Sequence, residues 1–408
     1  MSLQRRTFAE MLTFTRAGTA TYFDANGVMQ TAAADQPRFD YDPITLACKG
    51  LLIEGSRTNL LLRSSDIANA SWAKDATTIG ETVSSSYPTA ATRIYETATT
   101  GEHGFTAAAA AYTAGQVYTL HTVLRSAGRT RARVLLPSAA FGENKVGYYD
   151  LQSLSVVSTL GTGVTAAISP VRDGCVMLIL TATATTSASA SAGQFRFVDS
   201  GTNVSYAGSA SLGMDFIYAQ LEVGAFPSSY IPTTTAAVTR AADVCLMTGA
   251  DFSRWFNPVE GTIVAEFSTI TNGLDNTGGN GFFWIYDIDS SGAATSSHEL
   301  LVSATYGPGI NARTQVAGTS QAALTTPVTL GTGSTIRHAY AYKTNDFAGS
   351  LNGGSVLADA AGSLPPAPDR MAIGSTNGGS GSHLNGHLRR IRYYPRRLDN
   401  ARLQELTA

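Results

Sequence analysis

LNGHLRRIRYYPRRLDNARLQEL, residues 384–406, is the stretch whose reading decides the fold. Residues 387–395 read as a strand. After Leu398 the pattern changes to a short helix. Asp399 is the candidate N-cap, and Leu398 and Leu403 stand at the spacing of a hydrophobic staple. Leu403 and Leu406 then face the domain. A polar, glycine-rich strand system closed by one short C-terminal helix is a common way to build a binding platform. No equally clear set of catalytic groups stands anywhere in the chain, so the question becomes what the protein holds.

Working outward, residues 261–408 read as one β-domain, with strands expected at 262–268, 282–287, 299–304, 309–315, 337–344, 347–351, 370–374 and 387–395. Asn345-Asp346 marks a tight hairpin. Residues 66–240 read as a second β-domain, with strands at 91–95, 117–125, 130–136, 145–150, 165–168, 175–185, 193–198 and 214–222. The run VYTLHTVL, 117–124, alternates cleanly. Eight strands at that spacing fit a jelly roll. Residues 241–260 read as an extended connector. Residues 1–65 are irregular and turn-rich, with Asn26-Gly27 between two short apolar runs as a hairpin signal. The expectation is an all-β chain: two β-sandwich (jelly-roll) domains in tandem, a short irregular N-terminal segment and a short C-terminal helix. No repeat of fixed period supports a propeller or solenoid.

Composition narrows the function. The 408 residues are too many for one core. Charged residues make up 14% and the net charge is −2, so the surface is neutral and hydroxyl-rich, and no long basic stripe invites nucleic acid. Arg389, Arg390, Arg392, Arg396 and Arg397 are the nearest thing, and they read as a solvated sheet edge that blocks aggregation. Three distant cysteines exclude a disulfide framework and paired-cysteine zinc sites. The start lacks the apolar core of a secretory signal, and no apolar run reaches membrane length. Synthesis in a bacterial cytoplasm is expected, without a membrane partner.

Acid–base cleavage of a glycan needs two placed carboxylates. Asp287 with Asp289, or Glu96 with Glu102, are the nearest pairs, and they read as scattered in turn-like contexts. Gly208–Gly213 lacks the GxSxG pattern of a nucleophile elbow. His383 and His387, four apart, lie in a loop feeding a strand. No cofactor is called for. Asp275-Asn276, Asp287 and Asp289 offer oxygen ligands that would suit a structural calcium, without matching a defined calcium loop.

Saccharide binding needs only flat aromatics for a ring face and amides or guanidiniums for the hydroxyl rim. Trp72, Trp255, Trp284, Tyr148, Tyr149, Phe195 and Phe197 are the aromatic candidates, most of which a core would equally claim. In a strand, Tyr148 and Tyr149 point to opposite faces, so only one can be core. The residues singled out are Tyr148, Tyr149, Arg125 and Gln194 in the first β-domain, and Trp284, Asn311, Arg313 and His383 in the second.

Three blocks carry a resemblance: LTFTRAGTATYFDANGVMQTAAADQPRFDYDP with GLLIEGSRTNLLLRSSD near the start, FIYAQLEVGAFPSSYIPTTTAAVTRAADV at 216–244, and IGSTNGGSGSHLNGHLRRIRYYPRRLDNARLQELT at 373–407. The chain resembles the tail-fibre, tailspike and head-spike fibre proteins of phages and prophages, including gene transfer agent head spikes. The second block looks like the end of a carbohydrate-binding-module-like jelly roll. The third looks like the end of a laminin-G/concanavalin A-like sandwich. The resemblance implies a virion component on a particle surface that binds host capsular polysaccharide without cleaving it. Implied partners are other particle proteins (spike base, capsid or tail) and further copies of the chain, such as a homotrimer. Asp35, Pro37, Arg38, Glu54, Arg57 and Asn59 fall in the matched series and read as an attachment framework. The alternatives are a structural spike or adaptor protein, and a capsule depolymerase or esterase.

Overall fold

In a computed structural model, the structure describes residues 7–270, 283–290, 298–304, 309–328, 333–376 and 382–408. The fold is all-β, with the short closing helix at Asn400–Thr407. The middle of the chain forms two six-stranded antiparallel sheets. One runs Ser155–Leu160, Lys145–Asp150, Arg131–Leu136, Gln194–Val198, Gly104–Ala107, Trp72–Asp75. The other runs Thr165–Pro170, Cys175–Thr183, Val117–Ala127, Gly213–Val223, Ala91–Glu96, Thr77–Val83. Their facing residues make one core in which Trp72 packs against Phe105, Phe195 and Phe216 at ring separations of 5.3–5.9 Å.

The C-terminal sandwich has two seven-stranded sheets, and strands from the start of the chain complete both. Thr13–Thr15 caps one sheet beyond Val244–Thr248, Arg370–Ile373, Phe283–Asp289, His298–Ala304, Gly309–Val316 and Thr319–Pro327. Cys48–Ile53 and Phe39–Tyr41 extend the other beyond Leu357–Asp359, Phe347–Leu351, Ile336–Lys343, Glu260–Thr269 and Gly386–Tyr394. The Asn26-Gly27 hairpin forms between Ala20–Phe23 and Met29–Ala32, with Gly27 at φ 71° supplying the left-handed turn residue. The stretch expected as an extended connector carries Val244–Thr248 and the helical turn Gly249–Ser253, too short to show a period in the sequence. The arginines of Gly386–Tyr394 follow Leu388, beyond which one side of the strand has no partner among the described residues, in keeping with their reading as a sheet edge. The strand is paired with Glu260–Thr269 along its length and with Cys48–Ile53 only over Gly386–Leu388.

A buried ionic cluster joins the N-terminal segment to the strap before Asp243. Arg38 bonds Glu54 at 2.8 Å and Asp243 at 2.6 Å, and Arg16 reaches Asp243 at 3.1 Å, all four side chains fully buried. Glu54 also accepts from the Ser229 amide and hydroxyl. Burial alone would raise the Glu54 carboxyl; the Arg240 and Arg38 guanidiniums more than offset it and hold it well below the usual carboxylate range. Asn59 accepts from the Leu61 and Leu221 amides and donates to the Ile231 carbonyl, tying the segment to the first sandwich. Arg57 lies over the Phe226 ring at 4.7 Å, the Asp35 carboxylate accepts from the Arg16 amide, and Pro37 is half-buried beside Arg38. Among the described residues, no helix is long and apolar enough to cross a membrane.

The C-terminal helix starts where the sequence places it. Asp399 accepts from the Arg402 amide, and Leu398 and Leu403 bury together against Val264, Ala339, Ala341 and Ala348 on the outer face of the sheet.

Candidate functional site

The site is built on three adjacent strands of the C-terminal sandwich. On Phe283–Asp289, His298–Ala304 and Gly309–Val316 the inward residues Ile288, Leu300, Val302, Ile310 and Ala312 fill the core. Alternation sends their neighbours to the opposite face. A bulge between Trp284 and Tyr286 lets Ile285 and Tyr286 both enter the core and turns Trp284 outward. Trp284 then stands level with Ser303 and, one strand further, with Asn311. Arg313 lies two residues along, its guanidinium 6.0 Å from the centre of the Trp284 ring. The structure therefore brings together three of the residues singled out from the sequence: Trp284, Asn311 and Arg313.

Glu299 was missed; it lies on this face near one end of its strand, level with Asp289 and Gln315. It is fully buried and ion-paired with Arg313. Burial pushes its carboxyl up, against the opposing pull of the Arg313 guanidinium. Asp289, its cross-strand neighbour, is bound by both arms of Arg370 at 2.5 and 2.7 Å. The turn-like reading of Asp287 and Asp289 is corrected: both belong to a strand, on the face that carries Glu299. Alternation of Trp284, Asp287 and Asp289 was obscured by the bulge, which shifts the period by one residue.

Four polar atoms on this face are buried without a hydrogen-bond partner: Trp284 Nε1, Asn311 Oδ1, Arg313 Nε and Glu299 Oε2. Leaving a buried donor or acceptor unpaired costs about 1–3 kcal/mol each. Trp284 Nε1 and Arg313 Nε are donors and Asn311 Oδ1 is an acceptor beside the indole, while Glu299 lies further along the face opposite Asp289. An apolar ring with donors and an acceptor beside it matches what a pyranose offers, an apolar ring face rimmed by hydroxyls that both give and accept hydrogen bonds. Trp284, Asn311 and Arg313 are half-buried, so the face has a partly open rim over a buried base.

The remaining singled-out residues lie elsewhere. Tyr149 is fully buried between the sheets of the first sandwich, its hydroxyl bonded to the Ile179 carbonyl at 2.6 Å, so its ring has no free face. Tyr148 points to the other face, packed with Leu135, Val146 and Val198. Arg125 is held by Asp215 at 2.8 Å, and Gln194 accepts from Arg133 at 3.0 Å. These four do not converge. His383 is half-buried beside Gly55 at the junction, with Nε2 unpartnered, and burial lowers its proton affinity. His387 is bound to Asp40 at 2.8 Å. Glu96 is clamped by Arg129 and Tyr206 at 2.5 Å each, and Glu102 pairs with Arg133 and Arg196. Asp275-Asn276 lies outside the described residues. Among the described residues no three His, Cys, Asp or Glu side chains converge as a metal site. A concavity of about 270 Å³ opens at the junction between Phe23, Tyr87, Tyr218 and Tyr230.

No family model and no curated protein matches the chain. Among solved structures it is similar to the CBM40 of the Ruminococcus gnavus IT-sialidase bound to α2,3-sialyllactose (16% identity, TM-score 0.31, 37% of this chain and 84% of that one). It is also similar to the NanB sialidase of Streptococcus pneumoniae (13%, 0.32, 40% and 26%) and to a heptameric SAP-like pentraxin of Limulus polyphemus (13%, 0.31, 45% and 81%). Each likeness spans less than half of this chain, at a TM-score that carries no ligand across.

Proposed function

We propose that the protein is a non-enzymatic receptor-binding spike or fibre subunit of a phage or phage-like particle, holding host capsular polysaccharide on the face around Trp284. The observation that carries this reading is the set of three unpartnered buried polar atoms, Trp284 Nε1, Asn311 Oδ1 and Arg313 Nε, at one partly open indole ring. The sequence resemblance at 12–65 supports the particle setting. Weak binding at one site is offset by many copies on one particle, and a homotrimer mounted on a spike base, capsid or tail protein would supply that valency. The ligand is a neutral or acidic sugar chain; nucleic acid, membrane and cofactor have no part in this reading.

The test is retention of host capsular polysaccharide by the full chain clustered on beads. Wild type retains it, while Trp284→Ala/Asn311→Ala, with an unchanged melting temperature, releases it. Wild type that retains none even when clustered refutes the reading.

A second reading, a capsule depolymerase, is favoured by one observation: Glu299, with its proton affinity raised by burial, shares a face with Asp287 and Asp289. It predicts shortened capsule chains that disappear in Glu299→Gln. The binding reading predicts chains of unchanged length. The third, a purely structural adaptor, predicts that deleting the protein strips other spike parts from the particle.

A further inference from the structure

We propose a second binding site, for an acidic polysaccharide, in an arginine-lined groove on the opposite sheet of the C-terminal sandwich. The groove has a volume of about 530 Å³ and lies beside the closing helix. Register builds it: Arg390 stands opposite Glu266, which stands opposite Arg337 on the next strand, and Arg392 stands opposite Val264. The helix supplies the other wall with Arg402, Glu405 and Leu406.

Charge decides what fits. Glu266 is engaged by Arg389 at 3.2 Å and Arg337 at 3.6 Å, and Glu405 is engaged by Arg402. Arg390 and Arg392 are exposed and have no ion pair or hydrogen bond from their side chains among the described residues. Five guanidiniums face two side-chain carboxylates and Ala408, whose oxygen accepts from Arg337 at 2.9 Å, in a chain whose net charge is −2, so the groove is a local reversal of the molecule's sign. The two free guanidiniums are two residues apart on one strand face, roughly 7 Å. An anion bridging both relieves their mutual repulsion and is drawn in by the local field.

The shape of the lining narrows the anion to a sugar polymer. Leu406, only partly buried, puts apolar surface beside the charges, suited to the C–H face of a uronic-acid ring. No aromatic lines the groove, so the stacking surface that single-stranded nucleic acid uses is missing from it. The inference borrows from the reading above only the kind of polymer; its residues and its sheet are different.

Polygalacturonate, neutral dextran and a single-stranded oligodeoxynucleotide serve as probes of the full chain, with binding measured by affinity electrophoresis at low and moderate salt. The expected result is retardation by polygalacturonate but not by dextran or the oligonucleotide, weakened at least tenfold by the added salt. Arg390→Ser/Arg392→Ser loses at least tenfold. Arg396→Ser, an exposed arginine outside the groove, binds as wild type does, and Arg390→Ser/Arg392→Ser still retains host capsular polysaccharide on beads through the Trp284 face, so the two sites fail separately. Equal polygalacturonate binding by the double variant, an equal loss in Arg396→Ser, or equally tight binding of the oligonucleotide overturns the proposal.

Discussion

Asp243→Asn tests whether the residues matched near the start of the chain act through the buried junction. The substitution keeps the shape of the side chain and removes one of the two carboxylates that face Arg16, Arg38 and Arg240. One Asp243 oxygen accepts from Arg16; the other accepts from Arg38 and from the Glu54 amide at 2.9 Å. Whichever way the new amide turns, its N–H₂ meets a donor. The gross attraction at 2.6 and 3.1 Å is about 5–6 kcal/mol per pair at an effective dielectric of about 20. Desolvation offsets most of that, and breaking a buried pair by removing one partner costs about 3–5 kcal/mol net. With a urea dependence of about 3 kcal/mol per molar, the unfolding midpoint falls by about 1–1.7 M. Tryptophan fluorescence follows it in both sandwiches, because Trp72 lies in one and Trp255 in the other. Glu405→Gln, which breaks an exposed pair, leaves the midpoint where it is. A midpoint for Asp243→Asn within about 0.3 M of wild type refutes the structural role given to the cluster.

Further outcomes follow from burial. Burial pushes the His338 ring down to about 3, so the folded chain keeps it neutral while the unfolded chain takes up a proton below about pH 6.5. Stability from this group is complete above that value and is lost as pH falls toward about 3, at about 1.4 kcal/mol per pH unit. His338→Leu removes that share of the slope; urea midpoints taken near neutral pH and in mild acid check it, and equal slopes contradict it. Leu403→Ala unpins the closing helix from Val264, Ala339 and Ala341 and costs about 2–4 kcal/mol by urea unfolding; a loss below about 1 kcal/mol contradicts the packing. Removing residues 7–53 strips Thr13–Thr15 from one sheet and Phe39–Tyr41 with Cys48–Ile53 from the other. The uncovered edges then drive association, and a monodisperse monomer on size exclusion contradicts it.

The strands with a clear period were legible. The expected 117–125 and 214–222 appear as Val117–Ala127 and Gly213–Val223, and the Asp399 cap closes the helix at the expected residue. Strands without a period were not. Ala109–Tyr112 and Ala188–Ser191 pair with each other, yet alanine and serine carry little strand signal. The partnership of Phe39–Tyr41 and Cys48–Ile53 with a strand more than 300 residues later is a long-range contact that no local pattern announces. At the site, Trp284, Asn311 and Arg313 were found by residue type. Glu299 was not, because a lone carboxylate in a strand of leucines gives no sign of facing three other strands until register is known.

The most direct measurement of the central claim is a crystal structure of the full chain soaked with a capsular oligosaccharide. The account predicts a sugar ring against the Trp284 indole, with hydroxyls within hydrogen-bond reach of Asn311 Oδ1 and the Arg313 guanidinium and every glycosidic bond intact. A sugar seated only in the junction cavity beside Tyr87, or cleaved beside Glu299, contradicts it.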